Sequence, residues 1–303
     1  MSFASQVKAE LCRQPPRKKC CAVAMAYGAL LYCNTFSPRE IRLVTASGEF
    51  ASLLPRLFRR AFGLGFDEQP EPEAQGKRRF LITEPEKTAA VFRAFGMEPE
   101  DTLALHINLG VLESDCCRAS FVRGAFLAGG SVTDPLKSYH LELVTAHASV
   151  SRELGSLLYE LGFEPGQARR GANYVSYFKQ SETIADFLTA IGAPVAALDV
   201  ISAKVERDMR NEINRKVNCD TANADKTVAA AQQQLEAIRA VEREYGLDGL
   251  PEGLQQAALL RIANPAASLS DLAQLSYPPV TKSCLSHRLK KLVELGRNAG
   301  KEG

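Results

Sequence analysis

The spacing of apolar positions changes character along this chain. In roughly the first two-thirds, runs at helical spacing alternate with short period-two stretches. From about residue 225 the helical spacing is almost unbroken. Amphipathic runs at 50–58 and 151–159 are each followed by a glycine stop, Gly63 and Gly162. Strand-like stretches follow at 77–83 and 173–179, then shorter helices at 88–96 and 184–192. Ahead of all these, 19–34 and 115–132 are helical runs with small residues down one face. The predicted order in each half is helix, two strands, helix, two strands, helix.

The two halves match in residues as well as in order. A Cys-Cys pair opens each first helix, at Cys20-Cys21 and Cys116-Cys117, and Gly28 and Gly124 sit at the same place within them. Leu-Val-Thr-Ala occurs at 43–46 and again at 143–146. Chance similarity explains any one such segment but not five in register, so the expectation is a pseudo-twofold domain. Its first helices carry small residues on one face, and helices of that kind can pack backbone to backbone.

Beyond Pro194 a polar stretch holds Asn211, Asn214, Asn218 and Asn223. Asparagine competes for local backbone bonds, so 201–224 reads as a connector with some order. Its Arg207, Arg210, Arg215 and Lys216 are candidate phosphate contacts. The rest, 225–303, reads as helices: one capped by Asp225 or Thr227 and stopped by Gly246, and one opened by Pro251 and stopped at Asn264-Pro265. A short helix then starts at Ser268, with Asp271 completing a capping box. Pro278 and Pro279 break the helical pattern, and Thr281 caps a last helix from Lys282 to about Gly296. Two short helices joined by a tight turn make a helix-turn-helix pattern at about 268–301.

In that last helix Leu285, Leu289 and Leu292 share one face. Ser283, Ser286 and His287 are the expected base readers. Lys282, Arg288, Lys290 and Lys291 are the expected phosphate holders, with Thr281 at the helix start. Lys301 adds to the same local basic surplus, against one acid, Glu294.

Composition narrows the classes. The chain has 303 residues, 46% of them hydrophobic, and a formal net charge of +2. A near-neutral total does not announce a polyanion partner, so any nucleic-acid signal is local. Eight cysteines with no expected secretory leader point to free thiols in a reducing cytoplasm. Arg17, Lys18 and Lys19 ahead of an apolar run imitate a signal peptide, but the run is shorter than the roughly 20 residues a membrane span needs. Adjacent cysteines chelate one ion poorly, so both pairs read as buried thiols at helix starts, with no metal. His106, His140 and His147 have no ligand spacing, and His140 reads as a structural residue in a strand. No P-loop, dinucleotide glycine motif or nucleophile elbow is present.

The residues converge on one family. The chain resembles WhiA, the bacterial sporulation and cell-division transcription regulators. The resemblance rests on Met1 to Ser5, on Cys116-Cys117 with 123–132, on 139–142, on 207–223 and on 283–292. It implies an α+β fold: a pseudo-twofold domain over 1–200, similar to LAGLIDADG homing endonucleases, with repeats at about 1–97 and 98–200. An all-α helix-turn-helix domain similar to the promoter-reading domain of sigma factors follows. In the nuclease fold each first helix ends in an acid that holds a divalent ion. Here Cys33 and Gly129 stand at those positions, and Asp134 comes too late and has no partner in the first half.

The resemblance therefore implies a nuclease scaffold without catalysis and without cofactor. The expected function is sequence-specific binding of promoter DNA in the cytoplasm, at the nucleoid, in cell division, chromosome segregation and sporulation. Another transcription regulator or RNA polymerase is the expected partner of the N-terminal domain, and no membrane is involved. The competing classes are a metal-dependent homing endonuclease and an RNA-binding scaffold.

Overall fold

A computed structural model describes residues 2–71, 76–98 and 104–299. Met1 of the opening motif and Lys301 of the basic run lie outside the described residues. The chain forms two compact units, 1–207 and 208–303.

The first unit opens with α1 (Phe3–Arg13), which periodicity did not single out. Ser2 caps it, its hydroxyl accepting from Ser5 N. Then come α2 (Lys19–Leu31), β1 (Thr35–Phe36), β2 (Ile41–Thr45), α3 (Gly48–Phe62), β3 (Arg78–Ile82) and α4 (Pro85–Ala94). The second repeat supplies α5 (Asp115–Gly129), β4 (Gly130–Val132), β5 (Leu141–Thr145), α6 (Ala148–Glu160), β6 (Gly166–Arg170), β7 (Asn173–Phe178) and α7 (Ser181–Ile191). The two antiparallel sheets run β1-β2-β3 and β4-β5-β7-β6.

The repeated Leu-Val-Thr-Ala has a local reason. The Thr45 hydroxyl accepts from Ser47 N at 3.1 Å and the Thr145 hydroxyl from His147 N at 3.3 Å. Each threonine thus makes the same side-chain turn from strand into helix. Thr145 also donates to Leu31 O at 3.1 Å, tying the second repeat to the end of α2.

The repeats differ at one strand. Where the second has β6, the first has, among the described residues, only an isolated bridge from Glu68 to Leu81. Asp67 beside it takes on capping work. Its carboxylate accepts from Thr83 N (2.6 Å), Glu84 N (2.9 Å) and Lys87 Nζ (2.6 Å) at the start of α4, where Glu84 makes no side-chain cap.

The core of this unit is centred on α2 against α5. A Cβ on Gly28 would strike Phe121 O and lie 2.9 Å from Ala125 N. One on Gly124 would strike Met25 O and lie 3.0 Å from Ala29 N. Each glycine therefore meets the other helix's backbone. Tyr27 stacks on Phe95 at 4.2 Å and meets Phe121 edge-on. Its hydroxyl donates to His106 O and accepts from Asn108 N, which pins the segment joining the repeats.

The cysteine pairs depart from the expectation. Cys21 and Cys117 are buried, but Cys20 and Cys116 are exposed. A helix start at the edge of the packing face turns adjacent residues in different directions, and only the second of each pair faces inward. The two pairs also meet. The Sγ atoms of Cys20, Cys21 and Cys117 lie within 4.8 Å of one another. The Cys116 thiol adjoins that of Cys21, and the Cys117 thiol that of Cys20.

The expected connector is corrected. Residues 201–224 are helical, inside α8 (Pro194–Tyr245), so no new helix starts at Asp225 or Thr227. Asparagine costs well under 1 kcal/mol in a helix, and after Pro194 the run holds no glycine or further proline. Propagation from stable flanks needs no fresh nucleus. The Glu10 carboxylate accepts from Val195 N and Ala196 N, capping the N-terminal end, and Gly246 closes the other with φ +68°.

The second unit adds α9 (Glu252–Ala263), α10 (Leu269–Leu275) and α11 (Lys282–Ala299). Its core gathers Ile238, Leu254, Ala258, Leu272, Leu285, Leu289 and Leu292.

Candidate nucleic-acid interface

The capping box written in the sequence is formed. Asp271 N donates to the Ser268 hydroxyl at 3.2 Å, and Ser268 N donates to the Asp271 carboxylate at 3.2 Å. Leu272 and Ala273 turn inward from α10. After the turn, Thr281 caps α11, its hydroxyl accepting from Cys284 N at 3.2 Å. Leu285, Leu289 and Leu292 are fully covered and seat α11 against α9 and α10.

At 100° per residue, this leucine seam fixes where the other side chains go. Ser283, His287 and Lys290 project on the opposite face, and all three are exposed. Thr281, Lys282 and Lys291 are exposed as well. Ser286 lies on the flank and is half-buried. Arg288 is also half-buried, its guanidinium lying over Gly253 of α9, where an added Cβ would come within 3.1 Å of Cζ. The eight expected residues thus divide into an exposed polar and basic ridge and two flanking members, Ser286 and Arg288.

One residue of this unit was missed in the sequence. Arg261 on α9 is buried, at 2% exposure. Its Nε donates to Gln234 Oε1 at 2.9 Å, and one terminal nitrogen donates to Ala267 O at 2.7 Å. It holds the loop that delivers Ser268 to the start of α10. A lone arginine on an amphipathic helix gives no sequence signal for this.

Arg207 of the first unit, a candidate phosphate contact, is engaged elsewhere. It lies over the Tyr139 ring at 4.4 Å and donates to Pro135 O at 2.9 Å.

The ends of α2 and α5 are where the nuclease fold would hold its divalent ion, and the residues do not fit one. Cys33 donates to Thr35 O at 3.1 Å, and burial pushes its thiol up to about 12. Gly129 leaves no room for a carboxylate: an added Cβ would lie 2.5 Å from Val144 O and 2.9 Å from the Tyr32 ring. Asp134 instead accepts from Leu136 N in its own turn. Hard cations need oxygen donors, and neither position supplies one.

Comparisons with known proteins agree with both units. Residues 213–296 match the WhiA C-terminal HTH domain, and residues 118–210 match the WhiA LAGLIDADG-like domain. The probable cell division protein WhiA of Ruminiclostridium cellulolyticum is 35% identical over 309 residues, spanning 99% of each chain. That of Desulforudis audaxviator is 36% identical over 309 residues, spanning 98% of this chain and 97% of its own. Among solved structures, full-length WhiA from Thermatoga maritima superposes with a TM-score of 0.61 at 24% identity, over 98% of this chain and 99% of that one. An N-terminal LAGLIDADG domain of WhiA gives 0.50 at 21% identity, over 63% of this chain and 90% of that one. These structural likenesses concern the fold. Among the described residues no helix is long and apolar enough to cross a membrane.

Proposed function

The chain belongs to the WhiA family, and from that premise we propose that it is a sequence-specific DNA-binding transcription regulator without catalytic activity. Its setting is cell division and chromosome segregation, and sporulation where the host sporulates; its place is the cytoplasm, at the nucleoid. The observation that carries the reading is the ridge on α11. Three leucines seat the helix, a threonine caps its start, and Ser283, His287 and Lys290 stand on the free face. A short polar face with a basic margin is what a major-groove helix offers.

Ser283 and His287 are the base readers in this reading, with Ser286 reaching from the flank. Lys282, Lys290 and Lys291 hold phosphates, as does Arg288 from beside α9; Thr281 positions the helix start. The N-terminal domain serves as a docking body for another transcription regulator or RNA polymerase.

The test is a Ser283→Ala, His287→Ala, Lys290→Ala variant assayed on promoter fragments at fixed salt. Each lost base contact costs about 1–3 kcal/mol, so specific binding should fall at least tenfold. Unchanged binding sinks the assignment. Lys291→Ala should weaken binding to all sequences alike and reduce the salt slope by about 1. The endonuclease reading finds no support at Cys33 and Gly129. Competition of bound promoter by structured RNA separates the RNA-scaffold reading.

A further inference from the structure

The cysteine pairs lie on α2 and α5, outside the proposed reading helix α11, and their arrangement points to a ligand of its own. Cys20 and Cys21 open α2; Cys116 and Cys117 open α5. Backbone packing at Gly28 and Gly124 lays the two helix starts side by side. Three Sγ atoms, of Cys20, Cys21 and Cys117, lie within 4.8 Å of one another. The fourth thiol, Cys116, lies outside that cluster but adjoins Cys21. Each thiol's partner therefore comes from the other helix: Cys21 with Cys116, and Cys20 with Cys117. One adjacent pair alone chelates an ion poorly, but two such pairs meeting at the helix starts together offer four sulfurs.

We propose that Cys20, Cys21, Cys116 and Cys117 form a tetrathiolate site for one Zn2+ ion. Tetrahedral zinc with Zn–S bonds of about 2.3 Å sets its sulfurs about 3.8 Å apart; Cys20, Cys21 and Cys117 need a small closure from their spacing, and Cys116 moves in from beside Cys21. Binding exchanges four thiol protons for the metal and leaves a complex of net charge −2.

The surroundings suit that charge. Two helix N-termini converge here, each with partial positive charge, and neither Lys18 nor Ser114 makes a side-chain cap bond at its own helix start. The Lys18 ammonium acts on Cys116 as a further positive charge. The Ser114 hydroxyl lies 3.1 Å from Cys117 Sγ and 3.3 Å from Cys116 Sγ, where it can support the sulfurs from outside the metal's own ligands. Cys20 and Cys116 are exposed, which leaves an entry path, while Cys21 and Cys117 hold the inner side. The ion clamps the two repeats at the end of α2 and α5 opposite Cys33 and Gly129.

The full chain, produced with Zn2+ in the medium and purified under thiol reductant without chelator, should carry one zinc per molecule by plasma emission spectroscopy. Titration of the apoprotein with Co2+ should give the intense visible bands of tetrahedral thiolate coordination, and Zn2+ should abolish them. Cys20→Ser with Cys116→Ser changes only exposed positions. It should keep the helical circular dichroism and weaken Co2+ binding by more than the roughly 10–100-fold that loss of a second-shell partner costs. Cys12→Ser with Cys219→Ser and Cys284→Ser should retain the metal. A chain without zinc or cobalt bands overturns the proposal, as does zinc that survives replacement of all four cysteines. So does mass spectrometry showing Cys21–Cys116 or Cys20–Cys117 disulfides as the isolated form.

Discussion

At the scale of single residues, the decisive contacts are between backbones. Gly124→Ala drives a methyl into Met25 O, and main chain cannot step aside as a side chain can. It should cost upwards of about 3 kcal/mol by urea denaturation. Gly65→Ala, exposed and with no atom within 4 Å of the added methyl, should stay within about 0.5 kcal/mol. Asp67 gives a pH signature. Burial pushes its carboxyl up, but Lys87 and the N–H groups of Thr83 and Glu84 pull it down to about 2. A carboxyl depressed on folding contributes stability above its unfolded pKa and loses it as pH falls through the folded one. Asp67→Asn should therefore cost about 1–2 kcal/mol at pH 7, allowing for screening, and almost nothing near pH 2. Gly28 and Gly124 were legible because the repeat set them in register. Arg261 and the tucked Arg288 were not, because their partners lie on another helix or in the following loop and leave no mark on their own periodicity.

Elements were legible where local chemistry closes on itself. The capping box at Ser268, the Thr281 cap and the Leu285, Leu289 and Leu292 seam were all readable within a few residues and all occur. α8 was misread because propensity was weighed as if its middle had to nucleate alone. Asn211, Asn214, Asn218 and Asn223 are exposed on it, so none contributes packing. Replacing all four with alanine should gain roughly 0.5 kcal/mol each from propensity, seen as a higher urea midpoint with equal or greater helical ellipticity. A loss of ellipticity contradicts the continuous helix. The missing first-repeat strand has a different cause. The stretch Asp67-Glu68-Gln69-Pro70-Glu71 is rich in strand-disfavouring residues; among the described residues only Glu68 reaches a bridging position, and the Asp67 carboxylate is committed to α4.

For the molecule as a whole, the proposed lack of nuclease chemistry rests on more than missing acids. Cys33→Asp with Gly129→Asp restores carboxylates on paper, yet the second must occupy space held by Val144 O and the Tyr32 ring. That variant should nick no supercoiled plasmid with Mg2+ and should be less stable than the parent. Magnesium-dependent nicking by it shows that the pocket survives. The α2–α5 crossing also has a consequence in time. Synthesis delivers Gly28 well before Gly124, and at ordinary rates the interval is on the order of 10 s. For that interval α2 is a helix with its closest partner still unmade. The first repeat cannot finish folding alone as it leaves the ribosome. Truncation between the repeats should therefore yield a chain that chaperones hold and proteases clear.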